Sequence, residues 1–246
     1  MPAAAAFRAL GPVDLKSVAR DTMLRWLVAM PLVFALAFRW GVPALGAWLG
    51  ERYGFDLAPY YPLLTSFVVL MVPTMIGAVA GFLLLDQRDD RTLAAIQVTP
   101  LTVERYLAYR IATPILVSVP LALASIEIAG LVTIGVLPAL AAAVQAAPVA
   151  PLYALFVAAF AANKVQGFAL LKAVGVLTWP PVLAWFVTSD WQLAFGLDPL
   201  YWPLKLFWML EDGEPGAWLC FLAGMAYQSL LVAILLRRFK VVIRCE

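Results

Sequence analysis

Residues 57–85 read LAPYYPLLTSFVVLMVPTMIGAVAGFLLL, and no charged side chain interrupts them. Asp56 and Asp86 bound this stretch on its two sides. About 20 residues of α-helix are needed to cross the ~30 Å hydrocarbon core of a bilayer. The stretch therefore predicts a membrane-spanning helix at about residues 61–85.

The composition of the whole chain supports the same class of protein. The 246 residues are 64% hydrophobic and 13% charged, and the mean hydropathy is +0.91. A soluble domain is about half apolar and about a quarter charged, so an ordinary soluble enzyme is excluded. Histidine is absent, which excludes imidazole bases and histidine-ligated metals. The net charge of +2 argues against a nucleic-acid partner.

Hydropathy predicts an all-α, polytopic membrane protein with six transmembrane helices in a single domain over residues 1–246. The predicted spans are about 23–41, 61–85, 108–131, 138–161, 169–188 and 216–236. Three connecting segments stand out: a lead-in at 1–22, a cytoplasmic segment at 86–107, and an extracellular-side segment at 189–215. We expect no catalytic residue and no metal site in this chain.

Basic residues predict the orientation of the spans, because Lys and Arg accumulate in short cytoplasmic loops. Fourteen of the 17 basic residues fall on one side of the predicted topology, and only Arg39, Arg52 and Lys205 fall on the other. This asymmetry places both termini in the cytoplasm, and an even number of spans agrees with it. The bilayer in question is then the plasma membrane.

Two of the connecting segments are predicted to contain helices at the membrane surface. In the lead-in, Gly11-Pro12 is typical of a helix start. Leu15, Val18 and Thr22 then share one face of an amphipathic helix suited to the inner membrane surface. Residues 189–215 are too apolar for a free loop, so we expect helices that lie in the outer leaflet or partly re-enter it.

The link 86–110, DQRDDRTLAAIQVTPLTVERYLAYR, joins the second and third spans. TLAAIQV forms about two helical turns, and Pro100 ends them because the residue before a proline avoids helical geometry. A short, half-apolar helix with a charged rim is therefore expected parallel to the membrane. It either fits a groove on a cytoplasmic partner or serves as a solvated connector.

This link resembles the corresponding segment of ABC-2-type transporter permeases, the membrane subunits of ATP-binding-cassette exporters. The matching residues are the acidic-basic cluster 86–90, Thr92-Leu93, Thr99-Pro100-Leu101-Thr102 and Tyr106-Leu107. Arg91 and Ala95 depart from the family pattern. The resemblance implies a coupling helix that contacts a separate ATPase subunit. The coupling residues it implies are Asp86, Arg88, Asp89, Asp90, Thr92, Leu93, Ile96, Thr99, Pro100 and Leu101.

Within that family the chain looks most like fluoroquinolone-exporting permeases, on the stretches 81–86, 163–168 and 201–205. The resemblance implies that the second and fifth spans line the translocation path for a small hydrophobic or zwitterionic compound. The candidate path residues on these spans are Thr65, Met71, Thr74, Met75, Thr178, Trp179 and Trp185. For any one of them, packing or contact with lipid is the alternative.

Glu127 is the one acid well inside a predicted span, where a charge is costly. It either faces the path and attracts cationic cargo, or it reaches the outer interface. The sequence leaves both interpretations open.

No G-x-x-x-x-G-K-[ST] phosphate-binding motif occurs, so ATP and Mg²⁺ are expected on the partner ATPase and no cofactor is expected in this chain. Six spans are half of a usual exporter, which predicts a second permease chain, either identical or a sibling. The alternatives are a secondary transporter driven by an ion gradient and, less favoured, an intramembrane enzyme.

Overall fold

The computed structural model describes residues 3–89 and 102–244, and these residues form helices and turns without any strand. Four short 3₁₀ segments, Ala58–Tyr60, Val176–Thr178, Ala184–Phe186 and Asp190–Leu197, complete the described structure. The helices are α1 (Ala3–Arg20), α2 (Thr22–Tyr53), α3 (Tyr61–Asp89), α4 (Val103–Ala129), α5 (Val136–Ala146), α6 (Val149–Phe160), α7 (Lys164–Gly175), α8 (Trp179–Leu183), α9 (Tyr201–Glu211) and α10 (Ala217–Arg244).

Six helical segments are long and apolar enough to cross a membrane, which confirms the predicted all-α architecture and span count. The first three spans are single helices, namely α2, α3 with its preceding 3₁₀ turn, and α4. The fourth is α5 with α6, covering Val136–Phe160, and the fifth runs from α7 to the 3₁₀ turn at Lys164–Phe186. The sixth is α10.

The second and fourth spans form the centre of the bundle. In each of these two, 78% of the most apolar window is buried, against 11% in the sixth span. The first, third, fifth and sixth spans lie around this pair and expose most of their apolar side chains. Because lipid is as apolar as these side chains, exposure at the periphery is what a membrane-embedded bundle requires.

Two glycines let the central helices approach each other closely. A Cβ atom at Gly77 of α3 would lie 2.5 Å from the carbonyl oxygen of Ala150 in α6. A Cβ atom at Gly81 would lie 3.0 Å from the Cβ of Val157. Gly77 and Gly81 form a G-x-x-x-G motif on one helix face, the small-residue spacing that allows backbones to pack in membranes.

Helix α1 and the end of helix α10 lie at the same end of the bundle. Leu10 of α1 and Phe239 of α10 pack into one apolar cluster with Leu84, Tyr106 and Leu155, which come from α3, α4 and α6. We call this the α1 end. At the opposite end the start of α3 meets the end of α4, where Gly130 in left-handed conformation terminates the helix.

The first helix differs from its prediction in its start. It begins at Ala3 and continues through Gly11-Pro12, so the predicted start there is wrong. The alanine run 3–6 has the highest helix propensity, which extends the helix in front of the proline. Its buried face is centred on Asp14, whereas Leu15 is 71% exposed.

The fourth and fifth spans are each interrupted at prolines, although the fourth was predicted as one continuous helix. Pro148 lacks an N–H, and the chain passes it through a tightened turn in which the Ala150 N–H donates to the Ala147 carbonyl over 3.0 Å. In the fifth span Pro180 and Pro181 follow a 3₁₀ turn, and a second one begins at Ala184. Pro73, in contrast, lies inside the continuous helix α3.

The segment before the last span contains a helix, as predicted, but this helix belongs to the bundle interior. Helix α9 buries Tyr201, Leu204 and Phe207. Its Trp208 indole N–H donates to the Ser66 hydroxyl of α3 over 3.1 Å. Just ahead of α9, the Asp198 carboxylate accepts from the Leu200 N–H over 2.9 Å. Burial raises the pKa of Asp198 to about 6, and the Leu200 hydrogen bond only partly offsets that rise.

The close contact of α3 with α6 predicts a steric cost at Gly77. Gly77→Ala should lower the free energy of unfolding by roughly 1–3 kcal/mol, because the added methyl group meets backbone that cannot move aside locally. The measurement is thermal unfolding of the purified protein in detergent. Gly41→Ala in α2 is the matched control. It places the same methyl group where nothing lies within 4 Å, and should be neutral or slightly stabilising. Equal melting temperatures for the two variants would contradict the contact.

The raised pKa of Asp198 predicts a pH dependence of stability. The folded state holds this proton up to about pH 6, whereas an unfolded aspartic acid releases it near pH ~3.9. The folded state thus binds more protons in this window, and stability falls as the pH rises through it. Asp198→Asn keeps the acceptor for Leu200 and should remove this dependence. Melting curves of both proteins from pH 4 to 7 test the prediction, and parallel curves would refute it.

Candidate translocation cavity and coupling junction

A predominantly apolar cavity of about 350 Å³ lies between the first, second and fifth spans. Its size falls in the range of pockets that hold drug-sized molecules, ~300–1,000 Å³. We call it the apolar cavity. Its walls are Phe34 and Phe38 of α2, Leu64, Phe67, Val68, Leu70, Met71 and Thr74 of α3, and Thr178 of the fifth span.

One stripe of α3 forms most of this wall. Leu64, Phe67, Met71 and Thr74 recur at helical spacing and stay partly exposed on a helix that is otherwise buried. The Thr74 hydroxyl donates to the carbonyl oxygens of Leu70 (3.0 Å) and Met71 (2.9 Å) of its own helix. Its polar atom is therefore engaged with the backbone. Flexible Met and flat aromatic side chains suit loose recognition of planar apolar compounds.

The predicted path residues do not all lie together. Met71, Thr74 and Thr178 line the apolar cavity. Met75 is partly exposed one position beyond Thr74, and Trp179 is an exposed neighbour of Thr178. Thr65 is fully buried, and its hydroxyl donates to the Tyr61 carbonyl over 2.8 Å.

The two remaining path residues lie towards the opposite end. Trp185 packs edge-on against Trp208 with ring centroids 4.9 Å apart. Glu127 is exposed three residues before Gly130, at the end of α4. Its position near a helix end is consistent with a carboxylate that reaches water.

A second cavity of about 530 Å³ follows the first along the same seam, towards the opposite end of the bundle. Tyr61 of α3 lines this second cavity and lies one turn before Leu64. Trp185 of the fifth span also lines it and lies seven residues after Thr178. Glu211 and Asp212 make its wall acidic. Burial, together with the neighbouring Asp212, raises the pKa of Glu211. Sequence reasoning missed this second cavity; the acidic pair directly after the mostly apolar stretch 201–210 was its signal.

At the α1 end, the last turn of α3 is held by charged contacts. The Lys164 ammonium lies 3.0 Å from the Asp86 carboxylate and 3.3 Å from the Asp21 carboxylate, so it joins α3 to the start of the first span. Burial raises the pKa of Asp21, but N–H donors of Leu24 and Met23 and the Lys164 ammonium outweigh it, and the pKa is lowered overall. Asp21 is also the N-cap of α2.

Arg88 binds the end of a second helix. Its guanidinium donates to the carbonyl oxygens of Ala158 (3.3 Å), Ala161 (3.0 Å) and Ala162 (3.4 Å), where α6 ends. The last carbonyl groups of a helix lack hydrogen-bond donors within the helix and carry partial negative charge. A guanidinium at this position both donates the missing hydrogen bonds and balances that charge. Arg88 thus joins the second span to the fourth.

Asp14 forms a buried network with the start of α4. Its carboxylate accepts two hydrogen bonds from the Arg110 guanidinium, at 2.8 and 3.1 Å, and one from the Tyr109 hydroxyl at 2.7 Å. The Gln87 amide lies 3.5 Å away, and the Tyr106 hydroxyl donates to Gln87. Sequence reasoning assigned Arg110 only to the positive-inside pattern and did not pair it with Asp14.

We call this region the coupling junction: Asp14 and Asp21, the last turn of α3, the first two turns of α4, and Lys164. Of the predicted coupling residues, Asp86 and Arg88 lie in it with the contacts above. Asp89 ends α3. Asp90, Thr92, Leu93, Ile96, Thr99, Pro100 and Leu101 lie outside the described residues.

Comparison with known proteins identifies the family. Residues 14–236 match the family described as fluoroquinolones export permease protein Rv2686c-like. The chain belongs to this family. It is 38% identical over 242 residues to fluoroquinolones export permease proteins MT2760 and Rv2686c, from Mycobacterium tuberculosis strains CDC 1551 / Oshkosh and ATCC 25618 / H37Rv. Each alignment covers 96% of this chain and 94% of the relative. No solved structure gives a significant match.

These findings confirm the resemblance to fluoroquinolone-exporting permeases of the ABC-2 type. Together with the six candidate spans they establish a membrane protein of a permease family.

Proposed function

We propose that this chain is the membrane-spanning permease subunit of an ATP-binding-cassette exporter in the plasma membrane, and that it exports drug-like hydrophobic compounds such as fluoroquinolones. The observation that carries the proposal is the apolar cavity at the seam of the second and fifth spans, in a chain whose relatives are named fluoroquinolones export permeases. A single domain over residues 1–246 would form half of the path, and a second permease chain would supply the other half.

In this proposal the α1 end faces the cytoplasm. The positive-inside rule supports it, because Arg88, Arg110, Lys164 and Arg238 all lie there in the structure. Arg238 stacks on the Phe160 ring at 4.1 Å, which brings the end of α10 to the same region. The opposite end would open outside, where the exposed Glu127 carboxylate attracts the cationic end of zwitterionic cargo.

The apolar cavity would hold the cargo in the inward-facing state. Phe67, Met71 and Thr178 contact its flat ring system, while Met75 and Trp179 flank the cavity and Thr65 and Trp185 support the helices behind it. ATP and Mg²⁺ would bind on the partner ATPase, and residues 86–107 would pass its movement to the second and third spans. Energy then enters as a difference in ATPase affinity for the inward- and outward-open states.

Filling the apolar cavity tests its role in transport. Met71→Trp should lower ATP-driven uptake of a fluoroquinolone into inverted membrane vesicles by about tenfold, because the indole occupies space that the cargo needs. Leu230→Trp on the exposed face of α10 is the matched control and should transport normally. Normal transport by the Met71 variant at equal protein level would remove the cavity from the path.

Transport assays with the same vesicles distinguish ATP hydrolysis from the proton gradient as the energy source for uptake. Uptake that requires ATP and survives dissipation of the proton gradient supports the exporter. Uptake without ATP that collapses with the gradient would instead establish the secondary transporter.

Replacing the coupling residues tests the ATPase contact. Leu93→Asp and Asp89→Asn should each reduce co-purification with a co-expressed partner ATPase, because one removes an apolar contact and the other an acidic group from the proposed interface. Leu137→Asp, an exposed leucine at the opposite end of the bundle, is the matched control and should co-purify normally. Undiminished association and ATPase stimulation with both coupling variants would refute the assignment.

A further inference from the structure

Helix α1 carries two aspartates seven residues apart, Asp14 and Asp21, one within the helix and one directly after it. Seven residues are close to two helical turns, so both carboxylates point to the same side. That side faces the bundle, since both aspartates contact residues of other helices. Val13 and Leu15, which flank Asp14 on either side of the helix, are exposed.

Asp14 contacts α3 and α4, the two helices that residues 90–101 connect in the sequence. Arg110 and Tyr109 lie in the second turn of α4, and Gln87 lies two residues before the end of α3. Asp21 contacts the start of the fifth span through Lys164, which also contacts Asp86. Helix α1 is thus attached by polar contacts to the second, third and fifth spans at one level of the bundle.

The Asp14–Arg110 pair is the buried part of this set. Arg110 is 5% exposed and Asp14 is 9% exposed, and the guanidinium carbon lies 5.3 Å from the centres of both the Tyr106 and the Tyr109 rings. Desolvation cancels much of the attraction in a buried ion pair, so the pair adds little net stability. Its bidentate geometry instead restricts the relative orientation of the two helices, because both N–H···O bonds hold only at one angle.

We propose that α1 is a brace for the coupling junction, and that Asp14 and Arg110 are positioning residues which fix α1 against the start of the third span. A push on the segment 90–101 would then move α1 and the second and third spans as one unit. Without the pair, the start of α4 could tilt independently and part of the ATPase movement would be lost. This inference rests on the proposed function, because it assumes that the segment receives movement from an ATPase.

The first measurement uses the permease by itself. Spin labels are placed at Lys16→Cys and Ala108→Cys, two exposed positions on α1 and α4, after Cys220 and Cys245 have been replaced by serine. The intact pair should give one narrow distance distribution. Asp14→Asn, which keeps the size of the side chain and removes its charge, should broaden it. Tyr109→Phe, which removes one donor and leaves both charges in place, should broaden it less.

The second measurement uses the complex with the ATPase. Asp14→Asn should lower the amount of cargo transported per ATP hydrolysed by roughly three- to tenfold, while the two subunits still co-purify. A purely structural role would lower transport and hydrolysis together. Arg39→Gln is the matched control: it removes a bond of 3.1 Å to the Ile128 carbonyl at the other end of α4, and should leave the ratio unchanged.

The outcomes separate the two proposals. A broadened distance distribution together with a lowered ratio of cargo transported to ATP hydrolysed supports the brace. If Asp14→Asn fails to fold, both measurements are made on Tyr109→Phe instead. An unchanged distance distribution, or an unchanged ratio of cargo transported to ATP hydrolysed, overturns the brace proposal. Absence of ATP-driven transport in the unsubstituted complex refutes the exporter and, with it, the coupling role of the brace. The label distances then still decide whether Asp14 orients the helices.

Discussion

The close contact between α3 and α6 is the constraint on which the rest of the bundle depends. Gly77 and Gly81 allow the backbones of the second and fourth spans to meet, so these two helices fill the centre. Association of helices in lipid has no hydrophobic driving force and relies on such close packing. The remaining spans surround the pair, and α9 fills the space left at the opposite end, where Trp208 binds Ser66.

The ion pairs among the described residues lie at the α1 end of the bundle. Backbone groups inside the bilayer must be satisfied within the helices, and helix ends are where carbonyls and N–H groups remain free. Arg88 satisfies the end of α6, Asp21 caps the start of α2, and Asn163 caps the start of α7 through the Gln166 N–H. These three helix ends meet near Lys164, so local capping and the ion pairs between helices build the same junction.

The sequence predicted the parts of the fold that depend on composition alone. Long apolar runs define spans, and the six predicted segments match the six found. Sequence reasoning failed where tertiary contacts decide the outcome. The burial of α9 and the pairing of Asp14 with Arg110 depend on neighbours distant in sequence. The start of α1 at Ala3, in contrast, was readable from the alanine run 3–6. The Gly77-x-x-x-Gly81 spacing was readable as a packing motif, and Pro148 as a break in the fourth span.

The candidate site likewise has parts that the sequence predicted and parts that only the tertiary structure shows. The seam between the second and fifth spans was expected from the family resemblance, and Met71, Thr74 and Thr178 lie in its cavity. The contribution of Phe34 and Phe38 was not predictable, because no local pattern shows which face of α2 meets α3. The second cavity could be found only from the fold, since it brings together residues from the start of α3, from the turn after α4, from the fifth span and from the end of α9.

Helix α3 connects the cavity and the junction in a single element. Its first half carries Leu64, Phe67 and Met71, and its last turn carries Asp86 and Arg88. Met71 and Asp86 are 15 residues apart, which is about 22 Å along a helix. The helix continues through Pro73 between them, and α6 packs against it at Gly77 and Gly81. In the proposed mechanism, a displacement of its last turn is passed to the cavity wall through this one continuous helix. The fifth span differs, because Pro180 and Pro181 divide it beside Thr178. One wall of the cavity is thus a continuous helix, and the other is divided into short helical segments.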